Sequence, residues 1–179
     1  MIYYGRECQI YGNQDADVYI FCFFHDCTSI VESFTRDYCL IAPVIKDWND
    51  ELSPWAADGF GGKGKELEKW ILSWMYGRHE SFIGCISASG SLWFPGWMNY
   101  LHTIHRKGTV YLSLGRKESK TKNKLMCAVG QNTIETYHYL SKNNTCIYIE
   151  ENGGHFTEPG QRMIRGFKWL FENLSIFFE

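Results

Sequence analysis

The chain has little proline, four residues in 179, and no Pro/Ser-rich linker, low-complexity tract or internal repeat. One domain spanning 1–179 is therefore the expected organisation. No apolar run reaches the length of a membrane span. The N-terminus (MIYYGRE) lacks both the charged and the apolar region of a secretory signal. The net charge is −2 with acids and bases interspersed, which leaves no basic footprint for nucleic acid and no polybasic arm for a membrane. The phosphate loop G-x-x-x-x-G-K-[ST] is missing too, so the glycines of 59–64 (GFGGKG) read as turn residues.

The seven cysteines are odd in number and never spaced C-x-x-C. Most lie in apolar runs, where cysteine behaves as a small hydrophobe. That usage fits a reducing compartment, and with the missing signal it points to the cytoplasm. Aromatic residues, by contrast, are abundant at 17%. Trp48, Trp55, Trp70, Trp74, Trp93 and Trp97 crowd the middle of the chain. They either fill a core or line a pocket, and core filling is the commoner use.

Apolar, β-branched and aromatic runs predict strands at 2–4, 8–11, 18–24, 38–44, 82–87, 109–114 and 145–149. Runs such as VYIFCFF and YCLIAPV are continuously apolar, as strands covered on both faces are. Apolar residues at i, i+3/i+4 spacing predict helices over 123–141 and 159–178. The C-terminal half thus reads β-α-β-α-β-α. The fold class this predicts is α/β: a three-layer α/β/α sandwich around a mostly parallel sheet. Ligand sites in such sheets form beyond the carboxyl ends of the strands. Glu118 follows the strand 109–114 and His155 follows the strand 145–149, so both emerge at that edge. The long connection 46–65 (KDWNDELSPWAADGFGGKGK) reads as an ordered, site-lining loop because of its tryptophans.

Four blocks in order carry a family resemblance: DWNDELSPW (47–55), SASGSLWFP (87–95), VYLSLGRKE (110–118) and GGHF (153–156). From about residue 38 onward the chain resembles the enterochelin-esterase-like branch of the α/β-hydrolases, whose triad runs Ser…acid…His along the chain. The resemblance implies that Glu118 is the triad acid and His155 the general base. It implies further that Asp47, Trp48, Asn49 and Trp55 border a substrate pocket, with Trp93 in the SGSLW segment forming another wall. The implied chemistry is hydrolysis of an ester or related acyl bond in a small molecule, with no cofactor and no metal.

The elbow serine of that family is missing. No G-x-S occurs in the chain, and residues 66–82 (ELEKWILSWMYGRHESF) stand where family members carry a helix, the nucleophile strand, the elbow and a second helix. A parallel crossover alone takes a dozen or more residues, so the shortfall is about 30. The hydrolase-like fold is expected to be truncated there. A lost central strand would bare a sheet edge and favour homo-oligomers.

Ser87 and Ser89 are the remaining nucleophile candidates, in a run of small residues after a strand. Pro95 follows too soon for the helix that an elbow feeds. His102 and His105 have the spacing to share a helical face, as in some metal sites, and with His155 they define a metal-hydrolase alternative, although no third ligand lies near them in sequence. The other alternative is a catalytically inactive, hydrolase-like binding protein, or an internal-deletion product.

Overall fold

The computed structural model describes residues 2–3, 6–15, 19–21, 39–43, 84–93, 95–105 and 107–174. Two compact units divide the chain, residues 1–68 and 69–179, and each is considered by itself. The boundary falls within the interval 66–82.

The first unit contains a four-stranded sheet built from β1 (Ile2–Tyr3), β2 (Arg6–Gly12), β3 (Tyr19–Phe21) and β4 (Cys39–Pro43), in the order β1-β2-β4-β3. β1 pairs antiparallel with β2, and β2 antiparallel with β4, with Ile10 opposite Ile41. β3 runs parallel to β4, with Ile20 opposite Leu40. β1, β2 and β3 each carry an isoleucine beside a tyrosine, and such β-branched and aromatic residues fit a pleated surface best.

In the second unit β5 (Gly84–Ala88), β6 (Thr109–Gly115) and β7 (Thr145–Glu151) form a wholly parallel sheet in chain order. A short helix α1 (Trp97–Leu101) lies between β5 and β6. A single 3-10 turn (Met126–Ala128) and α2 (Val129–Leu140) join β6 to β7, and α3 (Pro159–Leu174) follows β7. The alternation of strand and helix predicted from 82 onward is thus observed as an α/β arrangement.

Period-2 alternation assigns the two faces of this sheet. Cys85, Val110 and Leu112 point one way, into a cluster with Leu92, Trp97, Leu101, Ile104 and Leu140, flanked by Cys146 and Tyr148. Ile86 and Tyr111 point the other way, towards α3: a Cβ on Gly166 would come within 2.7 Å of Ile86 Cγ2 and 3.1 Å of Tyr111 Cδ1. Helices therefore cover both faces, which explains why every residue of β6 is buried. Trp97 is a core residue, 1% exposed, and its indole N–H donates to Thr136 Oγ1 at 2.8 Å.

The helix expected over 123–141 begins only at Val129. The Asn123 side chain accepts from the N–H groups of Leu125 and Met126, and this local capping holds the segment in a turn. Leu125 and Met126 consequently stay exposed. Thr133 and Thr136 turn inward in place of Ile134, because their hydroxyls are satisfied by the carbonyls of Val129 and Asn132 within the helix. The helical face that His102 and His105 have the spacing to share is not formed. α1 stops at Leu101, the Thr103 hydroxyl takes the Tyr100 carbonyl, and Ile104 is drawn into the core. Among the described residues, no helix is long and apolar enough to cross a membrane.

Candidate functional site

The parallel register brings three strand ends to one edge. Ala88 of β5 lies opposite Ser113 of β6, and Ser113 opposite Ile149 of β7. Just beyond that edge come Ser89, the turn carrying Glu118, and the loop carrying His155. The first turn of α3 adds Arg162.

Glu118 reaches the site through a tight turn in which its own N–H donates to the Gly115 carbonyl at 2.9 Å. The N–H groups of Arg116 and Lys117 donate to the carbonyls of Glu151 and Gly153, so the acid turn is tied to the histidine loop. Basic neighbours Arg116, Lys117, Lys120, Lys122 and Lys124 stay exposed, while the Glu118 side chain turns inward to 6% exposure. Gly115 makes room for it: a Cβ there would lie 2.8 Å from Glu118 Oε1 and 2.8 Å from the Gly153 carbonyl. In the Gly153-Gly154 pair it is Gly153 that needs the missing side chain, with φ at +95° and Thr157 against the site of its Cβ. Thr157 closes the loop, accepting at Oγ1 from Gly154 N–H and donating its own N–H to the Gly154 carbonyl.

His155 Nδ1 meets Glu118 Oε2 at 3.1 Å. The other carboxylate oxygen, Oε1, accepts from Gly115 N–H at 2.7 Å, from the Ser89 hydroxyl at 2.7 Å and from Arg162 Nη1 at 3.2 Å. Burial pushes the Glu118 carboxyl up. The hydrogen bonds from His155, Ser89 and Gly115, together with the charge of His155, outweigh it and hold the group below its ordinary value of 4.5. Glu118 is thus a carboxylate with nothing to donate. The proton of the contact belongs to Nδ1, and Nε2 is the nitrogen with accepting character.

Arg162 carries no mark in the sequence reading. It is 1% exposed, and burying a guanidinium is costly unless its donors are matched. Nη1 donates to Ser89 Oγ at 2.8 Å as well as to Glu118, and Nη2 donates to the carbonyls of Asn152 (3.2 Å) and Gly154 (3.0 Å). One signal was available. Arg162 stands on the i, i+4 line of Gly166, Leu170 and Leu174, all buried, and a charge on the inward line of an amphipathic helix needs a partner.

Ser89 has a backbone φ of +58°, uncommon for a residue other than glycine, and its N–H donates to the Ser113 carbonyl at 2.8 Å. A sharp turn straight after a strand is the one feature it shares with a nucleophile elbow. No helix follows until Trp97, and the hydroxyl is engaged by Glu118 and Arg162. Ser87 stands within β5 at period-2 spacing from Cys85, on the sheet face towards the core cluster. Trp93 is half-buried in the turn after β5. Asp47, Trp48, Asn49 and Trp55 lie outside the described residues.

Among the described residues, no group of three or more His, Cys, Asp or Glu has the arrangement to hold a metal ion. Comparison with known proteins finds no matching family model, no matching curated protein and no matching solved structure.

Proposed function

We propose that the chain carries the acid and base of an acyl-hydrolase centre, on a truncated fold of the α/β-hydrolase type. Glu118 orients His155 through Nδ1 and stabilises the imidazolium that forms when Nε2 takes a proton. The observation that carries this reading is the 3.1 Å contact between His155 Nδ1 and a buried, fourfold hydrogen-bonded Glu118 carboxylate. A carboxylate so far withdrawn from water keeps its charge next to the ring, which is what an orienting acid must do. Under this reading the substrate is a small ester or related acyl compound, and the chain works in the reducing cytosol.

The test is turnover of a p-nitrophenyl ester together with labelling by a fluorophosphonate probe. Turnover lost on His155→Ala, or a labelled residue mapped by mass spectrometry, supports the proposal. Neither turnover nor labelling in the folded protein would sink it.

One observation favours a second reading, an inactive hydrolase-like binding protein. Ser89, the serine that bonds the acid, spends its hydroxyl on Glu118 and Arg162. This reading expects His155→Ala to fold and behave as the wild type. A measured activity abolished by that substitution would exclude it.

A further inference from the structure

We propose that Arg162 is a positioning residue for His155: its guanidinium fixes the Glu118 carboxylate and the histidine loop in one frame, and so sets His155 as the Nδ1–H tautomer with Nε2 as the accepting nitrogen. The proposal rests on the acid–base reading of the site.

His155 stands at the edge of the site, next to the loop that Arg162 holds. Its side chain is 43% exposed, and its neighbour Phe156, edge-on to the imidazole, is 87% exposed. The carboxylate on one side and the backbone immediately before it on the other both bear on the ring's position. Arg162 takes hold of both. Nη1 binds Glu118 Oε1, the oxygen not facing the imidazole, which leaves Oε2 turned to Nδ1. Nη2 binds the carbonyls of Asn152 and Gly154, which flank the left-handed Gly153 two residues before the ring. A guanidinium is planar and rigid, so the spacing of its two terminal nitrogens becomes the spacing between acid and loop. Ser89 completes the frame by accepting from Nη1 and donating to Oε1, which keeps the carboxylate from rotating. A lysine keeps the charge beside Glu118 but has no second nitrogen to span to the loop carbonyls.

A purely structural arginine, docking α3 on the sheet, would leave the tautomer of a surface imidazole alone. The discriminating measurement is imidazole ¹⁵N NMR on the full chain, at a pH where His155 is neutral. Wild type, Arg162→Lys and Arg162→Gln are compared, with Glu118→Gln as the reference for a lost acid. The wild type is expected to hold the proton on Nδ1. Both Arg162 variants are expected to move the tautomer ratio towards Nε2–H by on the order of tenfold, the weight of one charge-assisted hydrogen bond. If Arg162→Gln does not fold, Arg162→Lys decides. A folded Arg162 variant with the wild-type tautomer ratio, while Glu118→Gln shifts it, overturns the proposal. The readout needs no substrate, so failure of the hydrolase reading in the turnover assay leaves it standing, and the reverse also holds.

Discussion

The hydroxyl of Ser89 donates to Glu118 Oε1 at 2.7 Å while accepting from Arg162 Nη1 at 2.8 Å. That pair of bonds separates what Ser89 does from what its position after a strand invites. A serine whose proton points at a carboxylate held below its ordinary range faces only a weak base, too weak to activate it as a nucleophile.

Ser89→Ala is expected to leave any fluorophosphonate labelling at the wild-type level and to lower stability by about 1–3 kcal/mol. The cost arises because a buried guanidinium loses one of its acceptors. Mass-spectrometric mapping of the probe and a urea denaturation curve check the two halves. Probe attached to Ser89 itself would reverse this assignment.

Glu118 makes stability depend on pH with a definite sign. Its folded-state pKa is depressed, so between that value and the ordinary value of 4.5 the unfolded chain binds the extra proton. The contribution is fully present above the ordinary value and is lost as pH falls through the folded one. At neutral pH, Glu118→Gln is expected to cost about 3 kcal/mol or more by leaving Arg162 buried without its carboxylate. That gap between wild type and variant should shrink as the pH is lowered below the carboxylate range. Denaturation midpoints measured from pH 7 to pH 3 test it, and a constant gap would contradict the assignment.

Gly166→Ala should destabilise the protein although alanine is the better helix former. The propensity gain is at most about 1 kcal/mol. The new methyl would meet Ile86 Cγ2 at 2.7 Å and the Tyr111 ring at 3.1 Å, and a β-branched methyl has no easy way to yield. Overpacking of this kind costs about 1–3 kcal/mol. A thermal midpoint at or above the wild-type value would mean that α3 does not approach the sheet this closely.

Cys85, Cys127 and Cys146 should differ in reactivity. Burial pushes the thiols of Cys85 and Cys146 up to about 12, with the neighbouring Cys146 adding to the shift at Cys85. Neither forms appreciable thiolate near neutrality, whereas Cys127 is exposed. In the native protein, iodoacetamide followed by peptide mapping should modify Cys127 first and the other two only on unfolding. Equal rates for Cys85 and Cys127 under native conditions would refute this.

The strands of the second unit were legible because a strand covered on both faces must be largely apolar, and VYLSL, with Ser113 its one small polar residue, meets that demand locally. α3 was legible for a related reason, its inward line repeating every three to four residues. Glu118 and His155 were legible because each lies in the short turn or loop that follows a strand end, which puts it at the sheet edge whatever the rest of the chain does. The start of α2 was not, because Asn123 captures the N–H groups that would otherwise open the helix. The pocket walls expected at Asp47, Trp48, Asn49 and Trp55 fall outside the described residues.

Sequence by itself determined the alternation of strand and helix after residue 82 and the edge at which the acid and the histidine emerge. Both depend on short-range periodicity and on turns a few residues long. Only tertiary structure decided that Ser89 serves the acid, that Arg162 is buried beside it, and that Gly166 is where helix meets sheet. Those relationships join residues 73 positions apart, as for Arg162 and Ser89, or 44 apart, as for Arg162 and Glu118. No local pattern encodes such a pairing. It exists because parallel strands bring their carboxyl ends together and a returning helix then sets its first turn against them.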